Sequence, residues 1–150
     1  MFQPTPGLPD PDLQPGFYAG VPTKRLIAWG VDTLLTGLLT VVLIPFTAFT
    51  AVFYLPALYL VVNFAYRTVT IARRSATPGM RLMAIELRDA RGRPFDLGLA
   101  LAHTLGFALW MWFVLPQIVS VVLMLTGARA QGLTDMVLGT AAINRPAETA

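Results

Sequence analysis

Two residues near the start of the chain, Arg25 and Asp32, have the types and the spacing to do chemistry. They are seven positions apart, which at about 100° per residue puts them within about 20° of each other on one helix face, about 10 Å apart along the axis. Thr36 continues that face. An aspartate inside an apolar helix costs on the order of 2.5 to 3.5 kcal/mol to insert in a membrane unless it is paired, solvated or protonated. A carboxylate so placed can hold a proton, an ion or a charged solute. A structural ion pair or a hydrogen bond between helices accounts for the same residues. A second polar stripe follows, with Tyr59, Asn63, Tyr66 and Thr70 at helical spacing and Arg67 at its edge. It is expected to face the first, either as packing between helices or as further ligand contacts.

The elements that must position these side chains belong to a membrane. Of the 150 residues, 55% are hydrophobic and 13% charged, and the mean hydropathy is +0.63, more apolar surface than a water-soluble domain of this size buries. The tract Leu26 to Ile44 has 19 residues and ends at Pro45, enough to cross about 30 Å of hydrocarbon. A second tract runs from Ala48 to about Ile71 with Pro56 inside it. A third, Leu97 to Thr126, contains Pro116 and has 30 residues. It is either one kinked span or a helical hairpin turning between Trp110 and Pro116. Its aromatic group Phe107, Trp110, Trp112 and Phe113 resembles an interfacial belt.

Residues 1–22 hold six prolines and are expected to form an extended, disordered tail, with no basic segment of the kind that opens a signal peptide. The membrane domain is expected over 23–145, followed by a short tail at 146–150. Seven of the eleven basic residues lie between Arg67 and Arg93, and the turn after Pro45 is uncharged. The positive-inside rule then places the N-terminus in the cytoplasm and the protein in the cytoplasmic membrane. Alternation through Met83, Ile85 and Leu87, followed by Asp89-Ala90-Arg91-Gly92, predicts a cytoplasmic β-hairpin between Thr77 and Phe95. Gly139 to Asn144 is a candidate for a further strand beside it. The fold class expected is an all-α integral membrane protein of three to four spans with that hairpin between the second and third.

Several function classes find no support. Basic and aromatic residues do not interleave as a nucleic-acid platform would need. The chain has no Cys, no metal-ligand motif, no phosphate-cradling glycine loop and no nucleophile triad, so neither an enzyme nor a cofactor nor a metal is expected. The lone His103 lies in an apolar tract, where a bond to a neighbouring carbonyl is a simpler reading than a proton relay. The expected partners are the lipid bilayer and either further copies of the chain or another membrane protein.

Taken together, three segments resemble the RDD family of membrane proteins, named for one Arg and two Asp residues. Arg25-Leu26-Ile27-Ala28-Trp29-Gly30-Val31-Asp32 is similar to its first-helix pattern. Ala76-Thr77-Pro78-Gly79-Met80-Arg81-Leu82 resembles the stretch after its second helix, with Met80 where Lys is common. Gly132-Leu133-Thr134-Asp135-Met136, followed by Gly139-Thr140, resembles its closing segment, with Thr134 where His often precedes the Asp. The resemblance covers about residues 17–145. It implies Arg25, Asp32 and Asp135 as the named trio, and transport or ion exchange as has been suggested for some members. For Asp135 to approach Arg25 the chain must return to the side on which it started, which favours the helical hairpin for Leu97 to Thr126. Two expectations follow: a transport domain in which Asp32 is the protonatable or ion-binding group paired with Arg, or a non-catalytic accessory subunit whose basic loop binds a partner or anionic lipid.

Overall fold

The structure, a computed structural model, describes residues 7–145; the first six residues of the proline-rich segment and the 146–150 tail lie outside them. Helix α1 spans Val21–Leu43, with Pro22 in its first turn and Pro45 just past its end, positions where the missing N–H of proline costs nothing or stops the helix. Its buried residues Ala28, Asp32, Thr36 and Thr40 recur every four positions, while Leu34, Leu38, Val41 and Val42 stand exposed. This is a helix with small and polar groups inside and aliphatic ones outside. That arrangement suits a surrounding of lipid, where close packing and hydrogen bonds rather than apolar burial join helices.

An uncharged linker with two single-turn helices, its Phe46 and Phe53 exposed, leads to α2, Leu55–Arg74, which has Pro56 in its first turn. At about 1.5 Å per residue, these helices of 23 and 20 residues reach about 30 Å or more. Both are long and apolar enough to cross a membrane. Ser75 in the left-handed conformation ends α2, and its hydroxyl donates to Leu87 O at 2.6 Å and accepts from Phe95 N at 2.8 Å. One side chain thus ties the helix end to the two segments that follow.

The short helix α3, Pro78–Leu82, is capped by Thr77, and β1 spans Ile85–Arg88. Here the structure departs from the expected hairpin. The Asp89 turn forms, with Asp89 accepting from the N–H groups of Arg91 and Arg93, but no return strand follows it. Pro94 lacks the N–H a ladder needs, Phe95 drops into the core, and Asp96 caps the next helix through Leu99 N at 2.8 Å. The partner of β1 is instead β2, Ala141–Asn144, antiparallel, with Ile85 opposite Asn144 and Arg88 opposite Ala141.

Helices α4, Leu97–Met111, and α5, Val114–Thr126, are joined at Trp112 and Phe113, where the chain direction turns by 119°. Pro116 sits in the first turn of α5, so it starts a helix rather than kinking one. Helix α6, Leu133–Leu138, then leads through Gly139 into β2.

The packed core lies at one end of the helices. Val21, Ala28, Ile71, Met80, Ile85, Leu87 and Phe95 form it with Ala142. Residues 7–20, expected to be unpacked, lie over the sheet: Tyr18 packs on Ala141 and Ile143 and donates to Pro9 O at 2.8 Å. The adjacent aromatics Phe17 and Tyr18 supply the burial that the proline count obscured. Asn144 donates to Gly16 O and Ala19 O and accepts from Lys24 at 2.7 Å. The two ends of the domain therefore meet on one side, where α1 begins and α2 finishes.

Candidate functional site

Arg25 and Asp32 share a face of α1, as their spacing requires, but they do not pair with each other. Arg25 Nη1 donates to Asp135 Oδ2 at 2.6 Å, and Asp32 takes three neutral donors. The Tyr66 hydroxyl and the Gly79 amide donate to Asp32 Oδ1 at 2.8 and 2.9 Å, and the Thr77 hydroxyl donates to Oδ2 at 2.5 Å. The reason is local. Thr77-Pro78-Gly79 is a helix start, with Thr77 Oγ1 accepting from Met80 N, and it delivers one hydroxyl and one free first-turn amide to the same carboxylate. The approach is close enough to demand glycine, because a Cβ at position 79 would lie 2.3 Å from Ala28 O and 2.9 Å from Asp32 Cγ.

Asp135 is the more charged centre. It lies in the first turn of α6, reaches back to Gly132 N at 3.3 Å, and accepts the Thr140 hydroxyl at 2.8 Å. His103 Nε2 lies 3.1 Å from Oδ1. Full burial works to raise its pKa, but the Arg25 charge, the His103 contact and the Arg25 hydrogen bond outweigh burial and hold the carboxyl well below the usual carboxylate range. It is an ionised partner for Arg25, joining α1, α4 and α6.

The supporting residues occupy the seam between α1 and α2. Thr36 donates its hydroxyl back to Asp32 O at 2.8 Å, with Tyr59 Oη and Asn63 Nδ2 each 3.4 Å away. These three are the expected facing stripes. Arg67 does something the stripe did not foretell. It is 4% exposed, its guanidinium carbon lies 3.8 Å over the Phe107 ring of α4, and its Nε has no hydrogen-bond partner among the described residues.

Arg25, Asp32, Arg67, His103 and Asp135 all line one cavity of about 580 Å³, which α1, α4 and α5 enclose. Trp29, Ile118 and Leu125 give its remaining walls an apolar character. Met80 and Thr134, which stand where the resembled pattern carries Lys and His, line it as well, so neither supplies a charge. Among the described residues no three His, Cys, Asp or Glu side chains converge as a bound metal would need. Sequence reasoning missed Thr77, Gly79, Thr140 and Phe107 as parts of the site. The Thr-Pro-Gly run was legible as a helix start, whereas Phe107 gave no signal of its own.

The RDD family model matches residues 19–139, and the chain belongs to the RDD family. No curated protein and no solved structure matches it.

Proposed function

We propose that this RDD-family membrane domain is a non-enzymatic transport domain of the cytoplasmic membrane that binds a charged solute or ion in the cavity and exchanges it across the bilayer. The observation that carries the reading is the convergence of two carboxylates, two guanidiniums and one imidazole on a single cavity among apolar helices. Ionisable groups at membrane depth are costly and gather where a substrate or proton passes. The basic residues at the end where α1 starts and α2 finishes support a cytoplasmic N-terminus. The meeting of Asn144 with Gly16, Ala19 and Lys24 supports the same side for the C-terminal strand. The α4–α5 pair, with legs of 15 and 13 residues, about 20 Å each, then dips into the membrane and returns. The exposed aliphatic face of α1 leaves room for further copies of the chain.

In this reading Asp32 is the group that changes state. Thr77 caps the short helix that contains Gly79, so a single movement of α3 with its cap withdraws two of the three donors and leaves the carboxylate to take up a proton or cation. Asp32→Asn removes the charge and keeps the shape. In liposomes, pH-dependent flux in the natural protein and none in a folded Asn variant supports the proposal; absence of flux under every ion and pH gradient overturns it.

One observation favours a second reading, an accessory subunit without transport. Both carboxylates are fully engaged by donors from separate elements, the geometry of joints that hold helices together. Stable association with a partner membrane protein, unaffected by Asp32→Asn, distinguishes it.

A further inference from the structure

Both carboxylates in the cavity are engaged by donors, while guanidinium N–H groups remain without acceptors. Asp135 accepts from Arg25, Thr140 and Gly132 with His103 alongside, and Asp32 accepts from Tyr66, Thr77 and Gly79. The guanidiniums are the opposite case. Arg67 Nε is buried without a partner among the described residues and its guanidinium rests on a ring face, and Arg25 gives a bond from one nitrogen only. A buried guanidinium carries five N–H groups in a planar fork that matches phosphate or carboxylate oxygens, and leaving such donors without acceptors is unfavourable. The polar end of the cavity therefore calls for an anionic, oxygen-rich group.

The other end has a different chemistry. Its walls include Leu26, Val114, Ile118 and Leu125, and these same residues are exposed on the outside of the domain, Ile118 at 54%. The cavity thus opens sideways through aliphatic side chains, the direction that faces hydrocarbon when α1 spans the bilayer. A ligand arriving from the membrane meets an apolar mouth with two guanidiniums behind it.

We infer that the cavity takes an anionic membrane lipid, its phosphate on the free N–H groups of Arg67 and Arg25 and one hydrocarbon tail lying between α1 and α5. This rests on the reading that the cavity is a ligand site and names the class of ligand. Asp32 remains outside the contact, since its oxygens already hold three donors.

The test is native mass spectrometry of the full chain released from vesicles made of equal parts phosphatidylglycerol and phosphatidylcholine. One phosphatidylglycerol molecule is expected to stay bound in preference to phosphatidylcholine. Arg67→Gln should lower that preference by about tenfold or more, since a bond to a charged group is worth about 1.5 to 3 kcal/mol, and Arg67→Lys should keep part of it. Ile118→Trp, at a half-exposed apolar wall of the cavity, should expel the tail and lower retention even where Arg67→Gln fails to fold. Equal retention of the two lipids, or retention unchanged by Ile118→Trp, overturns the inference. Inorganic phosphate at millimolar concentration binding alone and displacing the lipid would also overturn it, assigning the anion site to a soluble ion. Flux persisting in liposomes of phosphatidylcholine alone, with no lipid preference, would sink this inference and leave the transport proposal standing.

Discussion

Gly79→Ala should damage the site far more than the loss of one glycine suggests. The added methyl would meet Ala28 O at 2.3 Å and the Asp32 carboxyl carbon at 2.9 Å. Restoring ordinary contact at about 3.4 Å requires α3 and α1 to part by about 1 Å. The Gly79 amide, now 2.9 Å from Asp32 Oδ1, then lies beyond hydrogen-bonding distance, and the Thr77 bond stretches with it. Bonds to a charged acceptor contribute about 1.5 to 3 kcal/mol each, so with one lost and one weakened the expected cost is about 3 kcal/mol. The measurement is denaturant unfolding in detergent micelles, followed by near-ultraviolet circular dichroism. Gly30→Ala and Gly37→Ala provide the control, because nothing lies within 4 Å of a Cβ at either and alanine is the better helix former by about 1 kcal/mol. Those two should be neutral or stabilising. A Gly79→Ala variant within about 0.5 kcal/mol of the natural protein would refute the close docking of α3 on α1.

Two further outcomes follow from the same contacts. Asp135 is held ionised below the usual carboxylate range, so its contribution is fully present above the unfolded value of about 4 and is lost as pH falls through the depressed folded one; the unfolding midpoint should stay level from pH 8 to 5 and drop only below about 4, and a drop starting above pH 6 would contradict it. Ser75→Ala keeps the left-handed backbone but removes the hydroxyl bonded to Leu87 O and Phe95 N, at a cost of about 1 to 3 kcal/mol. Faster trypsin cleavage at the Arg88 to Arg93 turn is the readout, and an unchanged rate would contradict the role given to Ser75.

Periodicity carried the helix faces and little beyond them. The Arg25, Asp32 and Thr36 stripe was legible because seven residues is nearly two turns, and the pairing stripe of Tyr59, Asn63 and Tyr66 because it repeats with the same step. What lies across from a stripe is a property of chain topology, so Arg25 met Asp135 rather than Asp32, and Asp32 met a helix start. The alternation at Ile85 and Leu87 identified a strand correctly, and its partner went astray because the Asp89 turn is a real turn with no strand after it. Pro94 carried that information. A lone His in an apolar tract points to a bond with a neighbouring carbonyl, but His103 meets the carboxylate of Asp135, a residue 32 positions later. The ring beneath Arg67 comes from α4, and an arginine over a phenylalanine leaves no trace in spacing.

Arg25 of the first helix and Asp135 of the last form one charge pair at the head of the cavity. A double-mutant cycle tests this directly, with Arg25→Gln and Asp135→Asn alone and together, read as unfolding free energy in micelles. Each single change leaves a largely buried charge without its partner, at a cost of about 3 to 5 kcal/mol, and the pair should cost well under the sum, with a coupling of about 2 kcal/mol. Additivity within about 0.5 kcal/mol would show that the two residues do not meet.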